Sequence, residues 1–113
     1  MNTYEVIITP QAETDLWEIR NYIADILLEP DTALDYINYI SEKIKKLEYM
    51  ASGIAPVSDE PWHSREIRKF PAKEFFIYYR IDENKSCVHV ISIIYNRRDQ
   101  NKALQEKTEN NRF

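Results

Sequence analysis

Six cations in this chain stand where a strand pattern would aim them. Arg65, Arg68 and Lys69 fall in the run Arg65-Glu66-Ile67-Arg68-Lys69-Phe70. Arg80 stands near the end of Phe75-Phe76-Ile77-Tyr78-Tyr79-Arg80-Ile81, and Arg97-Arg98 follow the aliphatic run 88–95. Alternate residues of a strand share a face. Arg65, Ile67 and Lys69 are therefore expected opposite Glu66, Arg68 and Phe70, while Phe76, Tyr78 and Arg80 oppose Phe75, Ile77, Tyr79 and Ile81. In the last run His89, Ile91, Ile93 and Tyr95 oppose Val88, Val90, Ser92 and Ile94. Guanidinium and ammonium groups set among aromatic rings are suited to pairing with phosphates and stacking on bases. An ordinary solvated sheet with snorkelling side chains has the same composition.

No other constellation competes. His63 and His89 have no sequence-adjacent partner for acid–base work, and Cys87 reads as a small core hydrophobe. No Cys/His cluster has metal-ligand spacing, so neither metal nor cofactor is expected. A single glycine in 113 residues excludes Gly-rich phosphate loops. The net charge is −4 but unevenly spread: residues 1–60 hold four basic against twelve acidic side chains, and residues 61–113 hold eleven against seven. The basic half is the one for an acidic or phosphorylated partner. No apolar run approaches the ~20 residues of a membrane span. The first residues lack the regions of a signal peptide. A lone cysteine makes no internal disulfide. These features point to a cytoplasmic protein without membrane association.

The elements that must position the cations follow from periodicity. Tyr4 to Thr9 reads as a short strand, and Thr9-Pro10 as a helix N-cap and first position. Ala12, Leu16, Ile19, Ile23 and Ile26 keep helical spacing, giving a helix over about 10–28. Pro30-Asp31 opens a second helix with Leu34, Ile37, Ile40, Ile44, Leu47 and Met50/Ala51 inward and Gly53 at its C-cap. Residues 54–63 read as a loop, 65–70 as an edge strand ended by Pro71, 75–81 as a central strand and 88–95 as the last. The expected fold is α+β, in the order β-α-α-β-β-β: an antiparallel sheet with a helical hairpin packed on one face. The other face is expected to be open. The chain is one domain, 1–113, with a core over about 4–104 and a polar C-terminal tail, 105–113.

In this order, Arg65-x-x-x-x-Phe70-Pro71, Phe76-Ile77-x-Tyr79-Arg80-Ile81 and Ile93-Ile94-Tyr95-Asn96-Arg97-Arg98-Asp99 resemble the RelE/ParE superfamily, the toxin halves of type II toxin–antitoxin modules. Helix-one residues Ala12, Leu16, Trp17, Glu18, Ile19, Tyr22, Ile23 and Ala24 add to the likeness, which covers about residues 4–104. The resemblance implies a cognate antitoxin as partner, contacting Arg65, Arg68, Lys69, Arg80, Arg97 and Arg98. It offers two targets. The RelE-like branch implies a metal-independent endoribonuclease, cutting messenger RNA on the ribosome. Lys69 and Lys73 would then serve as cations or base, Arg97 or Arg98 would hold the phosphate, and Tyr95 would stack or donate a proton. The ParE-like branch implies a non-enzymatic poison of DNA gyrase. Its central strand resembles Y-L-I-F-Y-R, which Phe75-Phe76-Ile77-Tyr78-Tyr79-Arg80 follows more closely than the ribonucleolytic Y-R-L-V-Y; Phe76 stands in the arginine place. Near the end of the last strand stands Asn96, where some ribonucleases of the family carry a histidine. A third implied class is a non-toxic module that only binds an antitoxin.

Overall fold

Thr9 couples the start of the first helix to the last strand of the sheet by three bonds at once. Its side-chain oxygen accepts from the Ala12 amide (3.3 Å) and its hydroxyl donates to the carbonyls of Val90 (2.7 Å) and Ile91 (3.1 Å). With extended backbone at Thr9 and Pro10 at the first helical position, this is the N-cap that the sequence pattern predicts. The computed structural model describes residues 3–109. Strand β1 (Glu5–Ile8) leads into α1 (Pro10–Asn21), which is prolonged by a π-helical turn, Tyr22–Ile26. Helix α2 (Pro30–Lys45) runs back and continues as a short α3 (Leu47–Met50) and a 3-10 turn, Ala51–Gly53. The sheet is completed by β2 (Arg68–Ala72), β3 (Phe75–Asp82) and β4 (Cys87–Tyr95). A last helix, α4 (Gln100–Thr108), follows.

The strand order is β1-β4-β3-β2. The three late strands form the expected antiparallel meander, and β1 joins it at an edge, parallel to β4, which makes the sheet mixed. The α1–α2 hairpin covers one face with a core built from Ile40, Ile44, Leu47, Ile77, Tyr79, Val88, Val90 and Ile93. The expected α+β architecture holds.

Four local expectations do not. First, the far face is not open. Trp62 and Ile67 from the 54–67 segment and Ala103 and Leu104 from α4 pack there on Tyr78, Ile91 and Ile94 as a second core. The covering segment carries its apolar residues at irregular intervals, so neither the helical nor the strand period reveals it. Residues 105–108, read as tail, belong to α4, and residues 110–113 lie outside the described part. Second, a β-bulge between β3 and β4 pairs Tyr78 with Ser92 but Tyr79 with Val90. The extra residue breaks the alternation: Val88, Val90 and Ile93 join the hairpin-side core and Ile91 and Ile94 the other. Third, Arg65 and Glu66 precede β2 in a turn, with Glu66 at φ 58°. Pro71 lies inside β2 rather than ending it, which an edge strand tolerates. Fourth, Gly53 closes the 3-10 turn without a positive φ.

Two residues assigned to the core by helical spacing are at the surface: Ile26 is 67% exposed and Leu34 61%. The π turn holds more residues per turn than an α-helix, so it delays the rotation and swings Ile26 off the buried stripe. Beyond it Leu28 has φ 56°, a left-handed conformation that a bulky side chain disfavours.

Asp15 ties the two layers of the molecule together. It is 2% exposed and accepts from the Ser92 hydroxyl (2.6 Å), the Ile93 amide (2.9 Å) and the Gln11 side-chain amide (2.9 Å). It also forms an ion pair with Lys107 of α4. Strand β1 pairs with β4 only as far as Val90, so the Asp15 carboxylate supplies the acceptor that a longer β1 would have given Ile93.

Candidate functional site

The turn that follows β4 is built by its own polar residues. The Asn96 amide donates to the Glu74 carbonyl (2.8 Å), and Asp99 accepts from the Lys102 amide (3.2 Å) as the N-cap of α4. Gln100 bridges back: its amide nitrogen donates to the carbonyls of Tyr95 and Arg98 (2.8 Å each), and its oxygen accepts from the Tyr78 hydroxyl (2.8 Å). The run Tyr95 to Asp99 is thus a strand end, a tight turn and a helix start in five residues. It sets Arg97 and Arg98 at the surface.

The other predicted cations divide between the two sides of the sheet. Lys69 leans over Phe76, its Nζ 4.4 Å from the ring centroid, and the Arg65 guanidinium lies 5.2 Å over the Trp62 ring. Both therefore stand on the α4 side. Such contacts stabilise by about 0.5–1 kcal/mol at exposed sites and leave the charge available to a partner. Arg80 is half-buried opposite His89 in the β3–β4 register, with its Nε buried and without a hydrogen-bond partner among the described residues. Lys73, in the left-handed β2–β3 turn (φ 54°), lies over Tyr39 (4.5 Å) and Tyr36 (5.2 Å) on the hairpin side. Tyr95 is there too, its ring 5.6 Å from that of Phe75.

Arg68 is a structural cation. Its guanidinium donates to the carbonyls of Ile54 (2.6 Å), Ser52 (3.3 Å) and Ala51 (3.4 Å), closing the end of the 3-10 turn. Arg68, expected in the partner-binding patch, thus caps this turn in the free chain. Arg68→Met, which keeps the stem and removes the donors, is expected to lower stability by about 1–2 kcal/mol in urea denaturation.

A cleft of about 580 Å³ opens between the hairpin and the ends of β3 and β4. Tyr22, Tyr36, Phe75, Ile93 and Tyr95 line it together with Arg98, Glu18, Glu29 and Glu74. The Tyr36 hydroxyl is buried there without a hydrogen bond of good geometry among the described residues. Burial raises its pKa above the ordinary phenol value, against a smaller opposing effect of the Glu74 amide. Sequence reasoning missed this cleft, because its walls come from a hairpin face read as wholly core. Its two cations are engaged, Arg98 with Glu106 (3.2 Å) and Lys107 with Asp15. Carboxylates outnumber cations around it, so it suits an apolar side chain better than a phosphate.

Of the five groups proposed for RNA cleavage, Tyr95 and Arg98 share the cleft and Lys73 lies over its Tyr36, whereas Lys69 stands across the sheet. Lys69 is on the α4 side, Lys73 and Tyr95 are on the hairpin side, and Arg97 and Arg98 occupy the turn at the end of β4. No group of three or more His, Cys, Asp or Glu among the described residues is arranged to hold a metal ion.

The model of the family described as ParE toxin of type II toxin-antitoxin system, parDE, matches residues 6–100. The chain belongs to the ParE toxin family. No curated protein matches it. Among solved structures it is similar to the chromosomal ParDE toxin–antitoxin system from P. aeruginosa, with TM-score 0.69 and 22% identity over 82% of this chain and 96% of that one. It is also similar to the RelBE2 toxin–antitoxin complex from Mycobacterium tuberculosis, with TM-score 0.58 and 17% identity over 82% and 98%. At such identities these likenesses establish the shared fold. This ParE-family toxin contains no helix among its described residues long and apolar enough to cross a membrane.

Proposed function

We propose that this toxin arrests growth by binding and poisoning DNA gyrase, and that a cognate antitoxin neutralises it. The observation that carries the reading is the division of Lys69 from Lys73 and Tyr95 by the sheet. A ribonuclease must bring a base, an acid and a cation within hydrogen-bond reach of one phosphodiester. A poison that works by binding needs only exposed, well-placed contacts. Phe76 supports the same reading: it packs beside Tyr78 in the second core, where the ribonucleolytic pattern has an arginine.

The antitoxin would lay an acidic segment across the exposed cations Arg65, Lys69, Arg97 and Arg98. Arg97 is the most direct probe, being exposed with no ion pair among the described residues. Replacing Arg97 and Arg98 together by Glu is expected to abolish growth arrest on induced expression and to weaken antitoxin binding at least tenfold. Retention of both toxicity and antitoxin affinity would remove these residues from the interface. RNA mapping in the same induced cells tests the target: intact messages with SOS induction agree with gyrase, whereas codon-positioned cuts establish the ribonuclease.

A further inference from the structure

Tyr22, Tyr36, Phe75 and Tyr95 bring four aromatic rings to the lining of one cleft. Phe75 stands edge-on to Tyr36, centroids 5.6 Å apart at 84°, and tilted to Tyr95 at 5.6 Å and 55°. Rings set at angles to one another offer their negative faces from more than one direction. One of them already holds a cation: Lys73, which does not line the cleft, has its Nζ 5.2 Å from the Tyr36 centroid. The charge of the lining is as distinctive. Glu18, Glu29 and Glu74 are exposed there and form no ion pair among the described residues. The lining cations are engaged, Arg98 with Glu106 and Lys107 with the buried Asp15. A further, independent feature is the Tyr36 hydroxyl, buried without a hydrogen bond of good geometry among the described residues. Its oxygen is an acceptor that an incoming N–H would satisfy.

We propose that this cleft is a binding site for a small organic cation with an apolar body, of the aryl-alkyl guanidinium or ammonium class. The body would lie among the rings, and the cationic head would face the glutamates, with the Tyr36 oxygen as a further acceptor. The volume of about 580 Å³ suits a small molecule. Charge decides the class. A phosphate or carboxylate would meet three carboxylates without counter-charges, and a neutral ligand would use the rings but leave those carboxylates as they are. None of the rings and glutamates used here belongs to the cationic surface assigned to the antitoxin. The site therefore holds or fails independently of the gyrase reading.

The test titrates the intact toxin, followed by NMR, with probes of equal size and different charge: phenethylguanidinium, neutral phenethylurea and anionic 4-phenylbutyrate. The guanidinium is expected to bind with a Kd on the order of 1 mM or tighter. It should shift the resonances of Phe75, Ile93 and Tyr95, and its affinity should fall in high salt. The urea should bind more weakly by about fivefold or more, and phenylbutyrate should not bind. Replacing Glu18 and Glu29 together by Gln is expected to bring the guanidinium down to the affinity of the urea. Tyr36→Phe should weaken it by about threefold with no loss of Tm, because the hydroxyl makes no well-formed bond in the free toxin. The proposal is overturned if the urea binds as tightly as the guanidinium, if phenylbutyrate is preferred, if the double variant binds as the parent does, or if no probe shifts the cleft resonances.

Discussion

Asp15→Ala is expected to lower the stability of the toxin by about 3–5 kcal/mol, a shift in the urea midpoint at unchanged m-value. Few single changes in the chain should cost more. The carboxylate is almost fully buried and serves three elements at once. Its loss strands the Ser92 hydroxyl and the Ile93 amide, each at about 1–3 kcal/mol for an unmet buried group. It also leaves the Lys107 ammonium, largely shielded from water, without this counter-charge. Asp15→Asn retains an acceptor and should fall between. Lys107→Met should cost less than Asp15→Ala, since the carboxylate then keeps its bonds from Ser92, Ile93 and Gln11. Equal losses for the two would mean that the ion pair, rather than the acceptor role toward β4, is what matters.

The second large effect appears in alkali. Burial pushes the phenols of Tyr78 and Tyr79 up to about 12. Asp59 adds to the first, while Arg68 opposes the second. Each hydroxyl donates a bond that ionisation would destroy, Tyr78 to Gln100 and Tyr79 to the Ala51 carbonyl at 2.7 Å. An unfolded tyrosine ionises near 10. Between pH 10 and 12 unfolding therefore releases protons, and stability falls as pH rises, by up to about 2.7 kcal/mol for each phenol. Urea midpoints should decline across that window, with the phenolate absorbance of Tyr78 and Tyr79 appearing at unfolding rather than before it. Tyr79→Phe should make the decline shallower. A stability independent of pH over this range would show that the two phenols are hydrated.

The hairpin-on-sheet architecture was legible in the sequence because its signals are periodic. The apolar positions of α2 repeat at helical spacing, Thr9-Pro10 marks a helix start, and β3 sends Phe75, Ile77, Tyr79 and Ile81 to one core and Phe76 and Tyr78 to the other. What was not legible arises where one element meets another. The second core depends on Trp62, Ile67 and Leu104, which lie in no common period. The bulge at Ile91 inverts facings in β4 that simple alternation assigns. The π turn moves Ile26 from core to surface. Asp15 reads like any helix-surface carboxylate until β1 is seen to stop short of Ile93. The candidate site was affected most. Apart from Arg65, which lies in a turn before β2, its cations are where strand and turn assignments put them along the chain, but one caps a turn and the others are split between the sides of the sheet.

Purified toxin added to DNA gyrase, ATP and supercoiled plasmid is the most direct test of a poison that acts by binding alone. Linear plasmid should accumulate on denaturing the gyrase, and an excess of the antitoxin should suppress it. Plasmid that stays intact, alongside messenger RNA cut on programmed ribosomes by the same preparation, would contradict the account and give the separated Lys69, Lys73 and Tyr95 a catalytic arrangement that the free toxin does not hold.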